Sequence, residues 1–181
     1  VMHWFPIFAK EQIAAGPGAA GAWQFWLNHW GLMLMLAGAS GGMLAGWMSD
    51  HLFGSRRAPV AGIFYSVLLA ATITMIFTLY GNPTVLGIVV CLVSVAVIGT
   101  HGMLSGTATM DFGGKKAAAT AVGLIDGLVY LGTGVQSLSL GFITTWNWQY
   151  WPVFLVPFAV AGLALTRRIW NAIPQGKVAG H

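Results

Sequence analysis

The stretch WQFWLNHWGLMLMLAGASGGMLAGW (23–47), followed at once by MSDHLFGSRRA (48–58), decides the fold. Residues 23–47 hold no Asp, Glu, Lys or Arg. Crossing the hydrocarbon core of a bilayer takes about 20 mostly apolar residues. The next eleven residues hold Asp50, Arg56 and Arg57, as a loop returning to water should. The pattern then repeats. Pro59 opens a second span that runs to about Tyr80, and Gly81-Asn82-Pro83 is a turn by composition. Residues 84–110 form a third span, DFGGKK (111–116) a polar loop with two glycines, and 117–143 a fourth span. TTWNWQYW (144–151) is an uncharged connection whose tryptophans suit an interface, and 152–170 form a fifth span. Ahead of all this, Val1–Ala9 reads as the tail of an interrupted helix and residues 10–22 as a connection containing Gly and Pro. Five full spans plus the end of a sixth predict an all-α, polytopic transmembrane helix bundle over 1–170. The tail 171–181 is expected to be a disordered cytoplasmic segment.

Composition agrees. Of the 181 residues 57% are hydrophobic and 7% are charged, against about 25% charged in a soluble domain. Seven of the eight basic residues follow alternate spans: Arg56 and Arg57, Lys115 and Lys116, then Arg167, Arg168 and Lys177. Short cytoplasmic loops retain Lys and Arg, so this bias predicts a multi-pass protein with a cytoplasmic C-terminus. The net charge of +4 is spread over span ends and is no nucleic-acid footprint. A single cysteine, Cys91, excludes an internal disulfide or a cysteine-based metal site. No metal or cofactor is expected. The chain begins at Val1, already inside an apolar segment, which reads as the start of a fragment.

Small residues let helices approach closely in lipid. Gly38, Gly42 and Gly46 repeat along one face of the first span, and Gly123 and Gly127 do so on the fourth; the expectation is helix packing. Ionisable residues within spans are costly and therefore candidates for function. Asp126 sits near the middle of the fourth span, either in a binding site or in a structural hydrogen bond to a neighbour. His101, among glycines in the third span, either serves the site or bonds a backbone carbonyl. Tyr130, one turn beyond Asp126, is a site or core aromatic. His29, beside Asn28, reads as interfacial packing, and Gln136 lies further along the fourth span. His-Glu-x-x-His and Gly-Lys-Ser/Thr motifs are absent, and Gly113-Gly114 lacks the strand-to-helix setting of a phosphate cradle. An enzyme is not expected.

Gly46-Trp47-Met48-Ser49-Asp50-His51, continuing through Gly54-Ser55-Arg56-Arg57-Ala58-Pro59, resembles the cytoplasmic loop signature of the major facilitator superfamily, with His51 in place of the usual base. A second run is similar to the organophosphate:phosphate antiporters within it. That run comprises Gly106-Thr107-Ala108, Asp111-Phe112-Gly113-Gly114-Lys115-Lys116, Gly123-Leu124-Ile125-Asp126-Gly127 and Tyr130-Leu131-Gly132. The resemblance covers nearly the whole chain and implies the C-terminal six-helix half of a major facilitator fold, in the inner membrane and lacking its N-terminal half. It also implies alternating-access exchange of an organic phosphate, such as glycerol-3-phosphate or a sugar phosphate, for inorganic phosphate. A membrane sugar-phosphate sensor of the same fold, or a transporter with another substrate, is the alternative.

By the resemblance, Gly46, Asp50, Arg56 and Arg57 form a conformational loop motif, with Asp111, Lys115 and Lys116 in a second loop. Tyr130 matches a pocket tyrosine, Asp126 an aspartate of some branches, and His101 falls in a segment facing the cavity. The family's phosphate-binding arginine of this half would precede Val1 by about three residues. Met35 replaces a glutamate, Ser40 a proline and His3 an acidic residue, which leaves the substrate open.

Overall fold

A computed structural model describes residues 2–172, with the side chains of residues 17 and 107–118 excepted. Every long element among the described residues is a helix. α1 spans Trp4–Ala15 and, after a 3-10 turn at Pro17–Ala19, α2 spans Ala20–Trp47. A π-helical turn, Met48–Leu52, extends α2 into its loop. α3 (Arg57–Thr78) and α4 (Pro83–His101) follow. A second π-helical stretch, Gly102–Ala108, leads into α5 (Thr109–Ile143), and α6 covers Tyr150–Arg168. Five helices are long and apolar enough to cross a membrane, as the repeated spans predict. The expected tail lies almost wholly outside the described residues.

Two expected boundaries change. Residues 10–15 continue α1 rather than joining the connection, since KEQIAA contains good helix formers and the breakers come only at Gly16-Pro17. DFGGKK (111–116) lies within α5 by its backbone instead of forming a loop. Two mid-helix glycines cost about 1 kcal/mol each, but Lys115, Lys116 and the alanines behind them favour helix. The turn at 81–83 is as expected. Asn82 caps α4 by accepting from the Thr84 N–H at 2.8 Å. Pro83 stands at the first helical position, where no donor is missed. Pro157, inside α6, cannot donate to the Val153 carbonyl, a gap that transmembrane helices tolerate.

α4 packs against α2 and α3, and α6 against α3. These contacts rest on bare glycine backbone. A Cβ on Gly41 of α2 would stand 2.6 Å from the Val95 carbonyl oxygen of α4. One on Gly99 of α4 would stand 2.8 Å from the Gly41 carbonyl oxygen and run into the Phe64 ring. The Trp26 ring lies on Gly87, the Tyr65 ring on Gly162, and Trp170 on Gly62. The four-residue glycine repeat is not where the helices meet. Gly38 makes ordinary contact with Ile98, while a Cβ at Gly42, Gly46, Gly123 or Gly127 would meet open space. Spacing along one helix cannot reveal which glycine a neighbour covers.

The larger core gathers Phe5, Phe8, Trp23, Trp26, Trp30, Leu86, Val90, Val93, Trp148 and Trp151. It fills the end away from Arg57 and Arg168. Phe8 makes edge contacts with Trp23, at 5.6 Å between ring centroids, and with Trp148, at 5.1 Å. Aromatic rings favour that arrangement over face-to-face stacking. The α5–α6 connection is tied down here. Trp148 Nε1 donates to Glu11 Oε2 at 2.6 Å, Gln149 Nε2 to the Ile76 carbonyl at 2.6 Å, and Tyr80 Oη to Asn147 Oδ1 at 3.3 Å. Partial burial, and then the nearby Glu11 charge, push the Tyr80 phenol up from its ordinary value. Of the connection's three tryptophans, Trp146 remains exposed while Trp148 and Trp151 are buried. α5 is different. No residue from Ala119 to Ser139 is buried, and the helix touches α6 only lightly.

The glycine contacts give a direct test. Gly41→Ala must force α2 and α4 apart, an overpacking expected to cost about 1–3 kcal/mol. Gly42→Ala, facing open space, should be neutral or stabilising through helix propensity, by up to about 1 kcal/mol. Thermal unfolding of the purified full-length protein in detergent should rank them in that order, and equal midpoints would disprove the seat at Gly41.

Candidate functional site

Two groups of polar residues stand out, one in the loop at the end of the bundle that carries Arg56 and Arg57, the other between α4 and α5. The first is the loop between α2 and α3. Gly54 and Ser55 both adopt positive φ, 57° and 66°. That left-handed pair turns the chain sharply enough for α3 to start beside the end of α2. Arg57 opens α3, where the helix dipole disfavours a cation. Its guanidinium turns back to α2 instead: Nη1 donates to Ser49 Oγ at 2.7 Å and to Asp50 Oδ1 at 3.0 Å. Ser49 is fully buried, its carbonyl accepts from the Ser55 N–H at 2.7 Å, and its hydroxyl donates to the Arg56 carbonyl at 3.4 Å. Arg56 Nε donates to the Phe53 carbonyl at 3.2 Å.

Asp50, Arg56 and Arg57 therefore form one connected loop, whereas a Cβ on Gly46 would meet open space. His51 stacks on Trp47 and contacts the Trp47 carbonyl through Nδ1 at 3.1 Å, so it does not act as a second base for Asp50. Ser49, the buried centre of the loop, was not legible in the sequence, where a serine beside a charged pair looks like a solvated residue.

The second group joins His101, the last residue of α4, to Asp126 of α5. His101 Nε2 and Asp126 Oδ1 stand 3.9 Å apart, and the two side chains are 39% and 34% exposed. On one straight helix residues 101 and 126 would be about 37 Å apart, so the chain reverses between them. Asp126 Oδ1 is shut off from solvent and has no hydrogen-bond donor, so the carboxyl turns one oxygen inward to the histidine. The π-helical stretch begins directly after His101, and Ser105 Oγ donates to the His101 carbonyl at 2.9 Å. Single π turns recur at functional sites, because the extra residue re-aims the side chains around it. Of the two readings for Asp126 and His101, a side-chain pairing with each other replaces a backbone bond for the histidine ring.

Tyr130 lies one turn beyond Asp126 and is 71% exposed, on a face this chain leaves open. Gln136 and Thr133 continue along α5 into a cavity of about 770 Å³ that also has His3, Tyr65, Phe158 and Leu165 in its walls. His29 contacts the Phe25 carbonyl at 2.8 Å and packs on the Phe25 ring. Met35 is exposed. The side chains of Asp111, Lys115 and Lys116 lie outside the described ones. Gly38-Ala39-Ser40-Gly41-Gly42 has the spelling of a hydrolase nucleophile elbow, which needs a strand-to-helix turn. It lies instead in the middle of α2, and Ser40 merely donates to the Ala37 carbonyl at 3.3 Å. Among the described residues no cluster of three His, Cys, Asp or Glu could hold a metal.

Comparisons with known proteins agree in kind. The whole chain is 30% identical to the glycerol-3-phosphate transporter of Bacillus subtilis (strain 168), of which it spans 39%. It is 31% identical, over 76% of its length, to a probable hexose phosphate transport protein of Chlamydia pneumoniae, spanning 30% of that protein. It is 29% identical, over 73% of its length, to the membrane sensor protein UhpC of Escherichia coli (strain K12), spanning 30% of it. The chain thus covers less than half the length of each of these relatives, matching their C-terminal half. No family model matches the chain, and no solved structure matches it.

The loop separates a buried contact from an exposed one. Arg57→Ala leaves the buried Ser49 hydroxyl without its donor, at an expected cost of about 1–3 kcal/mol. Asp50→Asn removes a half-exposed ion pair and should cost less than about 1 kcal/mol. Chemical denaturation of the full-length protein checks both, and a larger loss for Asp50→Asn would reverse this assignment.

Proposed function

The chain belongs to the organophosphate:phosphate antiporter family of the major facilitator superfamily, and on that premise we propose that it forms the C-terminal half of a secondary transporter. The protein exchanges an organic phosphate, glycerol-3-phosphate or a sugar phosphate, for inorganic phosphate. Its likeness to a glycerol-3-phosphate transporter over the full chain, and to a probable hexose phosphate transport protein over 76% of it, carries this reading. Residues 1–170 make one transmembrane half-domain. The basic ends of the spans face the cytoplasm of a cell whose inner membrane holds the protein, in keeping with retention of Lys and Arg on that side.

A half-domain does not transport alone, because substrate sites in this class of transporter form between two repeats near the middle of the membrane. The open faces support this division of labour. α5 carries Tyr130 on surface that the other described helices leave open, and α2 leaves Met35 and Met43 exposed. Tyr130 and the His101–Asp126 pair contribute this half's side of the site, while the Asp50–Arg57 loop holds α2 to α3 through the rocking motion. Exchange needs no bond chemistry, so no catalytic residue and no cofactor is assigned.

A sensor is the second reading, favoured by the likeness to UhpC. Full-length protein in proteoliposomes loaded with labelled inorganic phosphate separates the two. Counterflow driven by external glycerol-3-phosphate is the expected result; binding without counterflow would support the sensor. Tyr130→Phe should raise KM by roughly tenfold, the loss of one hydrogen bond to a charged group. An unchanged KM would remove Tyr130 from the site.

A further inference from the structure

Intramembrane carboxylates and histidines are expensive, and where they persist they pair with one another or relay protons. The His101–Asp126 pair is incomplete as a hydrogen bond. At 3.9 Å the two atoms are too far apart for one, yet Oδ1 is closed to water and has no other donor. A buried carboxylate oxygen in that position carries the cost of a lost hydrogen bond. Two arrangements relieve it: a proton on the carboxyl itself, or a second proton on the imidazole, which then draws in to a charge-assisted bond of about 2.8 Å.

Among the described side chains of α2 to α5, few groups could compete for this role. Between the loop residues at the span ends, α3 offers only Tyr65 as a further titratable side chain, α4 only Cys91 and α5 only Tyr130, while α2 between His29 and Asp50 offers none. The ion pair Arg57–Asp50 belongs to the loop.

We infer that His101 and Asp126 together form a proton-binding site whose occupancy is linked to binding of the phosphate anion. The proton comes from water on the open face and lands on the Asp126 carboxyl, held against the imidazole, with no other bond made or broken. With the imidazole neutral and the carboxylate ionised the pair carries one negative charge; with the proton bound it carries none. An anionic phosphate in the adjoining site is repelled by the first state and not by the second, so each favours binding of the other, and by reciprocity to the same extent. This link to phosphate rests on the transporter reading above, whereas the proton site itself does not. Across a partly wetted site the expected coupling is about tenfold in affinity.

Infrared difference spectroscopy of the full-length protein in membranes tests the proton site. Acidification should produce a carboxylic C=O band that Asp126→Asn abolishes and that His101→Gln displaces along the pH axis. A band that survives Asp126→Asn, or a titration indifferent to His101→Gln, would overturn the inference. For the linkage, phosphate affinity of the wild type should fall about tenfold as the pair loses its proton, beyond the change due to phosphate's own ionisation. In Asp126→Asn only the latter should remain, in His101→Gln the fall should move along the pH axis with the band, and identical profiles in all three proteins count against it. If neither variant folds, proton uptake by the wild type on adding inorganic phosphate, in excess of phosphate's own, reads the same linkage, and its absence refutes it. Phosphate counterflow on the same vesicles keeps the two ideas apart. A titrating band without counterflow refutes transport and leaves the proton site standing, while counterflow without the band does the reverse.

Discussion

Helices in lipid gain nothing by hiding apolar surface from one another, so what fixes their positions is how closely their backbones approach. Here that approach is set by glycines lying under a ring or a carbonyl. Gly99 is the centre of this arrangement, with the Gly41 backbone on one side and the Phe64 ring on the other, so that α2, α3 and α4 converge on one residue that has no side chain. His101 follows two residues later. The geometry of that crossing therefore reaches the polar pair almost directly: widening it would tilt the last turn of α4 and carry the imidazole with it. Trp26 on Gly87 and Tyr65 on Gly162 repeat the device further along α4 and between α3 and α6.

The two ends of the bundle are built from different materials. One is aromatic and closed, with rings packed edge to face and a single carboxylate, Glu11, engaged by a tryptophan N–H. The other carries the π-helical turn Met48–Leu52 and holds its polarity in a buried serine, an arginine and an aspartate. Ring packing thus holds one end, and polar contacts around a π-helical turn hold the other.

Much of this was legible in the sequence because membrane constraints are coarse. Spans announce themselves through length and the absence of charge, and the Asp50–Arg57 loop through its motif. What was illegible depends on a neighbour. Gly42 and Gly41 are adjacent and chemically identical, yet only one lies beneath α4. Trp146 and Trp148 occupy the same short connection, and only the second meets Glu11. His101 and Asp126 were each visible as an isolated ionisable residue. That they face one another depends on where the chain reverses between them, and the glycine-bearing run 111–116, expected as a loop, instead has helical backbone.

Pro157 sets a mechanical boundary within α6. Its first half is held by Trp151, which is fully buried among the other rings, and its far end by Trp170, seated on Gly62 of α3. Between these two moorings one backbone bond, to the Val153 carbonyl, cannot form. Any torque between the aromatic and basic ends of the molecule therefore concentrates at a single peptide, beside the cavity wall formed by Phe154 and Phe158. α6 behaves less like a rod than like a flexure, stiff on either side of one compliant joint.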